Sequence, residues 1–206
     1  MDGVKLLVPN CCLWEKNGEV ELSAIHTDTH RETPYAITLA QALAGGDKMD
    51  WIVEKAVETG AQRIVPLQCE RSVIKLNRSS DAERAQKRIG HWQAIIQAAC
   101  EQCDRTVLAD LEPIQNFTEF LKIPSESLKL LLSPDASVSM VSVLAQNPPQ
   151  NVILMIGPEG GHSPEEEAIA QAAGYQIVSL GERILRTETA GIVAITAVNT
   201  VWSLGS

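Results

Sequence analysis

The sequence predicts an α/β protein built on a mainly parallel sheet with helices on both faces. Three observations predict it. Short, mostly apolar runs such as Leu128–Leu132 and Val152–Ile156 read as strands buried on both sides. Between the strands lie segments with apolar residues at helical spacing, including Trp51, Ile52, Val53, Ala56 and Val57. The two kinds alternate along most of the chain, and such alternation calls for crossover connections and parallel pairing.

Taken in order, residues 1–33 are mixed short-strand material with turn signals at Pro9-Asn10 and at Asn17-Gly18, the latter a hairpin turn. Thr33-Pro34 marks a boundary, because a residue before proline is driven into extended conformations. Residues 35–43 form the first strand. Gly45-Gly46-Asp47 opens a helix that Gly60 closes. Arg63–Gln68 is the next strand. Ser80, Asp81, Ala82 and Glu83 form a capping box for a long helix carrying Ile89, Trp92, Ile95, Ile96 and Ala99. Strands follow at Leu128–Leu132 and Val152–Ile156. The next helix has Ser163 as its cap, Pro164 at its first position and Glu166 completing a capping box, and it ends at Gly174. Residues 175–180 are the last strand and 188–202 the last helix.

Composition removes several classes of protein. The chain has 206 residues, 45% hydrophobic and 21% charged, which is ordinary for a globular protein and unlike a disordered one. No apolar run approaches the ~20 residues of a membrane span, and no signal peptide is visible at Met1, so a cytoplasmic protein is expected. Five cysteines are too few for a disulfide scaffold. Cys100 and Cys103 form a C-x-x-C pair near the end of a helix, where the dipole disfavours a thiolate, and no second ligand pair stands at zinc-site spacing. Two packed thiols and no metal are expected.

The net charge of −9 argues against non-specific nucleic-acid binding, yet it is uneven. Residues 48–105 hold ten Lys/Arg against eight Asp/Glu, the only basic excess in the chain. It concentrates in Arg71, Lys75, Arg78, Arg84, Lys87 and Arg88. Such a run reads either as a solvated helix face or as a local phosphate-binding patch.

Two successive strands end in glycine-marked loops, each leading into a helix, and ligands bind at that side of an open α/β sheet. The first loop is Gly157-Pro158-Glu159-Gly160-Gly161. Its glycines let backbone amides approach a ligand closely, and the helix N-terminus behind it favours an anion. It lacks both the G-x-G-x-x-G dinucleotide spacing and the Gly-Lys-Ser/Thr of a phosphate loop. The second loop places bulky Ile184 and Leu185 beside Arg186, Thr187, Glu188 and Thr189, which suits a flat ring held between apolar side chains.

Six ordered motifs carry a family resemblance: 48–60, Glu70-Arg71-Ser72-Val73 with Lys75, 99–105, Leu131-Leu132-Ser133-Pro134, 156–161 and 185–190. Together they resemble the SPOUT methyltransferases, most closely the ribosomal RNA small subunit methyltransferase E family, which methylates N3 of a uracil in 16S ribosomal RNA with S-adenosylmethionine. The resemblance implies a SPOUT-type fold with a C-terminal trefoil knot over 34–206, preceded at 1–33 by a remnant of a PUA-like β-barrel. It implies a cofactor pocket lined by Leu132, Gly157, Glu159, Gly160, Gly161, Leu180, Gly181, Ile184, Leu185 and Arg186. A homodimer is implied, with the helix from Ala190 partly buried against the second subunit.

For catalysis the candidates are Arg186, to stabilise a uracil anion, and Glu188 or Glu159, to accept the N3 proton. Arg71, Lys75 and Arg105 are the candidates for RNA phosphates. The expected partner is small-subunit ribosomal RNA or the assembled subunit. Two alternatives stay open: a methyltransferase acting on another RNA base, and a catalytically silent RNA-binding or assembly factor with a shortened barrel.

Overall fold

The computed structural model describes residues 31–74 and 81–203. The expected barrel remnant therefore lies outside the described residues except for its last three, and so do the Asn17-Gly18 hairpin and the Ser80 cap. Strand β1 (Ile37–Ala42) leads into α1 (Lys48–Glu58), β2 (Arg63–Gln68) and the long α2 (Asp81–Gln102). Two-residue strands β3 (Asp110–Leu111) and β4 (Gln115–Asn116) precede α3 (Phe117–Leu121). Then come β5 (Leu128–Leu132), α4 (Met140–Gln146), β6 (Val152–Ile156), α5 (Pro164–Ala172), β7 (Gln176–Val178) and α6 (Thr187–Ser203).

Among the described residues the strands run β3-β2-β1-β6-β5-β7, β4 also pairs with β2, and every pair is parallel. The central strands show why their sequences are so apolar. Along β6, Val152, Leu154 and Ile156 enter the core shared with α1, α2, α4 and α6, while Ile153 and Met155 enter the core on the α3 and α5 side. Successive side chains of a strand point to opposite faces, so a strand covered on both sides is apolar throughout.

Local chemistry sets the helix ends. The Ser163 side chain accepts from the Glu166 amide while the Glu166 carboxylate accepts from the Ser163 amide, the reciprocal capping box expected at α5. Gly60, after α1, takes φ +101, a left-handed turn that glycine adopts without steric cost. Trp202 donates to the carbonyls of Leu144 and Asn147 and meets the Tyr35 ring edge-on at 4.8 Å, fastening α6 over α4 and β1.

The last strand is shorter than expected. After Val178 the chain leaves the β5 ladder, and the Ser179 amide donates to the Val138 carbonyl instead. The elements β3, β4, α3 and α4 have no counterpart in the sequence reading, being too short to establish a period. One feature of the register positions everything that follows. Leu132, the last residue of β5, lies beside Ile156, the last of β6, and beside Val178, the last of β7. Three carboxyl ends thus form one edge.

Candidate ligand-binding site

At that edge lies a cavity of about 550 Å³, within the ordinary size of a small-molecule site. Leu132, Ile156 and Val178 form its apolar floor. One wall is the loop after β6, through Gly157, Glu159, Gly160 and Gly161. The other is the loop after β7, through Leu180, Gly181, Ile184, Leu185 and Arg186. All ten residues named from the resemblance therefore line a single cavity. Ile184 is 82% exposed, an apolar side chain held at the rim with little to cover it.

Glycine is required in the first wall. A Cβ on Gly157 would sit 3.1 Å from the His162 amide nitrogen and 3.2 Å from Gly161, so no larger residue fits without moving backbone. Gly161 has φ +67, and its amide closes a tight turn onto the Pro158 carbonyl at 2.9 Å. The two walls are tied together beneath the cavity. Thr187 donates to the Gly157 carbonyl at 2.6 Å and accepts from the Gln41 side-chain amide at 2.9 Å, all three groups being buried.

Charges cluster at one end. Glu159 accepts from the Lys48 ammonium at 2.9 Å and from the Gly45 amide at 3.0 Å. Burial pushes its carboxyl up, but the Lys48 hydrogen bond, the amides of Gly45 and of Glu159 itself, and the Lys48 charge outweigh burial and hold it below the usual carboxylate range. Lys48 also stands 3.7 Å from Glu188, whose Oε2 is buried without a hydrogen-bond partner. Arg186 reaches Glu188 only at 4.0 Å, and its side chain is 84% exposed at the mouth of the cavity. Glu159 thus takes both contacts on one oxygen, Oε1, while Glu188 lines the cavity with its Oε2 turned toward Lys48. Lys48 belonged to a recognised motif but was not among the expected site residues.

The expected phosphate contacts separate. Arg71 lines the cavity and lies across the first loop, donating to the carbonyls of Gly160 and His162 at 2.9 and 3.2 Å. Lys75 lies outside the described residues. Arg105 is a correction. It is 5% exposed, forms a two-pronged pair with Glu32 at 2.7 and 2.9 Å, and donates to the carbonyls of Val57 and Ala61. Four of its five N–H donors are bonded inside the fold, so this buried guanidinium fastens the α1–β2 turn to Glu32 and is not presented to a phosphate. Cys100 and Cys103 are free thiols at the end of α2, and burial raises the Cys100 thiol. Sequence reasoning also missed a buried trio, Cys69, His162 and Glu166, assembled behind the first loop. No described helix is long and apolar enough to cross a membrane.

A parallel sheet with a glycine-walled cavity at its carboxyl edge defines the class, and comparison with known proteins gives it a family. A family model, the RNA methyltransferase domain, matches residues 31–199. The ribosomal RNA small subunit methyltransferase E of Bacillus subtilis is 32% identical over 181 residues, covering 84% of this chain and 69% of the relative. Its namesake in Synechocystis is 34% identical over 172 residues, covering 82% and 54%. A crystal structure of the Neisseria gonorrhoeae ribosomal RNA small subunit methyltransferase E bound to S-adenosyl methionine superposes with a TM-score of 0.75. It shows 41% identity, over 83% of this chain and 68% of that one. The chain belongs to the ribosomal RNA small subunit methyltransferase E family. It spans between about half and about two thirds of the length of these relatives.

Proposed function

We propose that the chain is an S-adenosylmethionine-dependent methyltransferase that modifies N3 of a uridine in 16S ribosomal RNA. The observation that carries this reading is the single cavity formed by the two loop walls and Leu132. It supports the cofactor because each part of the cavity suits a part of that molecule. The close-packed glycines let backbone amides reach a polar edge, the apolar floor and Leu185 suit an adenine ring, and the paired charges at one end suit the ionic methionine part. The Neisseria gonorrhoeae relative and a Legionella pneumophila putative methyltransferase, 38% identical with a TM-score of 0.76, both hold this cofactor.

Bound there, the cofactor supplies an electrophilic methyl group on sulfur. The chain's own residues do the rest. The N3 nitrogen of uracil carries a proton that must leave for methylation to occur, and Glu188, whose side chain lines the cavity, would accept it on its carboxylate. Arg186, at the mouth, offsets the negative charge that develops on the uracil oxygens. Lys48, hydrogen-bonded to Glu159, helps hold that carboxylate ionised and makes it a weak base. Holding nucleophile and methyl donor in line contributes more than covalent assistance would.

Arg71 and the basic segment that follows it contribute the RNA contacts, and α6 with α1 forms a homodimer surface on which Val193 and Trp51 are exposed. In this reading residues 152–190 are the threaded part of a trefoil knot.

Mass mapping of small-subunit RNA from a strain lacking this gene, before and after complementation, tests the proposal. It predicts loss and recovery of one N3-methyluridine. A different modified base would move the assignment to another target, and an unchanged RNA would favour a silent binding factor.

A further inference from the structure

Behind the first cavity loop, three side chains from two parts of the chain meet out of contact with solvent. Cys69 directly follows β2, His162 follows the glycine pair, and Glu166 lies in the first turn of α5. The thiol sulfur, a ring nitrogen and a carboxylate oxygen lie within 4.8 Å of one another. The His162 side chain is 1% exposed, and neither ring nitrogen has a hydrogen-bond partner. Its closest approach to a carboxylate, Nδ1 to Glu166 Oε2, is 3.6 Å, too long for a hydrogen bond. Leaving such a group unsatisfied is costly, and native interiors rarely tolerate it.

The donors retain capacity for a cation. Glu166 Oε1 accepts from the Glu70 amide at 2.7 Å and Oε2 from the Ser163 amide at 3.1 Å, which leaves each oxygen a further lone pair. Ser72 Oγ accepts from the Cys69 amide at 3.0 Å and fixes that residue's backbone. The Phe117 ring, 5.4 Å from the imidazole, closes one side. Two positive features face this region, Arg71 across the loop and the N-terminus of α5. A thiolate and a carboxylate neutralise a divalent ion, with the imidazole as an uncharged third donor. Sulfur, nitrogen and oxygen together are the donor set of zinc.

We propose that Cys69, His162 and Glu166 bind one zinc(II) ion, with water as the fourth ligand, and so clamp the end of β2 to the cavity loop. On binding, the Cys69 S–H bond breaks, its proton passes to solvent and a Zn–S bond forms, with no change of oxidation state. The cysteine spacing pointed away from a metal because the three ligands become neighbours only through the pairing of β2 with β1 and of β1 with β6.

Cobalt(II) is the probe. Titrated into the chelator-treated full chain, it should give an intense near-ultraviolet thiolate-to-cobalt band that saturates at one equivalent and disappears when one equivalent of zinc is added. Cys69→Ser should abolish the band, His162→Gln should weaken binding at least about 10-fold, and Cys103→Ser should leave both unchanged. Zinc should raise the melting temperature of the wild type and of Cys103→Ser, but not of Cys69→Ser.

X-ray absorption at the zinc edge of the wild-type protein requires no variant, and should show one sulfur at about 2.3 Å with nitrogen and oxygen neighbours. Absence of a thiolate band, a band that survives Cys69→Ser, or a zinc shell with no sulfur or with two would overturn the site. None of these results bears on the S-adenosylmethionine reading, which rests on the cavity's two loop walls and Leu132 and not on the metal-donor atoms of this trio.

Discussion

The hydroxyl of Thr187 donates a 2.6 Å hydrogen bond to the carbonyl oxygen of Gly157, joining the first residue of α6 to the first residue after β6. The Thr187 hydroxyl oxygen itself accepts from the Gln41 side-chain amide, so one hydroxyl holds β1 and both cavity walls in a fixed relation. Replacing it with a methyl group of similar shape leaves a buried carbonyl and a buried amide short of a partner. Thr187→Val should therefore lose about 1–3 kcal/mol of stability, equivalent to a fall of roughly 2–12 °C in melting temperature for a chain of this size. Calorimetric melting measures it. An unchanged melting temperature would mean the two loops are held by something else.

The two carboxylates beside Lys48, Glu159 and Glu188, should separate in kinetics. Glu188→Gln removes the group assigned to the proton and should lower kcat about 100-fold or more while changing the KM for S-adenosylmethionine little. Glu159→Gln removes the partner of Lys48 and Gly45, distorts the first loop and should act mainly on KM. Steady-state methylation of small-subunit particles distinguishes the two. Equal losses of kcat in both variants would contradict the assignment.

Much of this site was legible in the sequence, and for identifiable reasons. The strands β5 and β6 have the bounds expected because continuous apolar runs mark doubly covered strands. The α5 capping box is a purely local device, so Ser163, Pro164 and Glu166 could be read without a fold. Other features required the third dimension. Arg105 follows a helix in a charged segment and looked exposed, and nothing local reveals that Glu32 and two carbonyls enclose it. Cys69 and His162 are distant in the chain and meet only across the sheet. Lys48 looked like an ordinary first-turn lysine until the fold brought Glu159 and Glu188 to it.

The two described arginines once grouped as RNA contacts should behave differently. Arg105→Ala strands the buried Glu32 carboxylate and two carbonyls, and should cost about 3–5 kcal/mol of stability. Arg71→Ala should leave folding nearly intact yet weaken RNA binding and flatten its dependence on salt by about one unit of slope. Denaturant titration and filter binding at several salt concentrations measure these effects. A stable Arg105→Ala protein defective only in RNA binding would reverse the correction made above.

Glu166 predicts an acid branch to the stability curve. Burial pushes its carboxyl up, but His162 and the amides of Glu70 and Ser163 outweigh burial and hold it below the usual carboxylate range. A folded-state pKa below the unfolded one means stability that is complete above about pH 4.3 and is lost as the pH falls through the folded value. In metal-free buffer, Glu166→Gln should be less stable than the wild type at pH 7, and the gap should narrow as the pH falls below about 4.3. Urea denaturation across that range is the measurement. A gap independent of pH would show that the carboxylate is not the source.

The central claim is that the loops after β6 and β7 form one S-adenosylmethionine site, and calorimetric titration of the purified chain with that cofactor tests it most directly. The account predicts saturable binding of one cofactor per chain, weakened in Gly157→Ala, where a Cβ would stand 3.1 Å from the His162 amide. No binding by the folded wild-type protein at millimolar cofactor, or equal binding by Gly157→Ala, would contradict it.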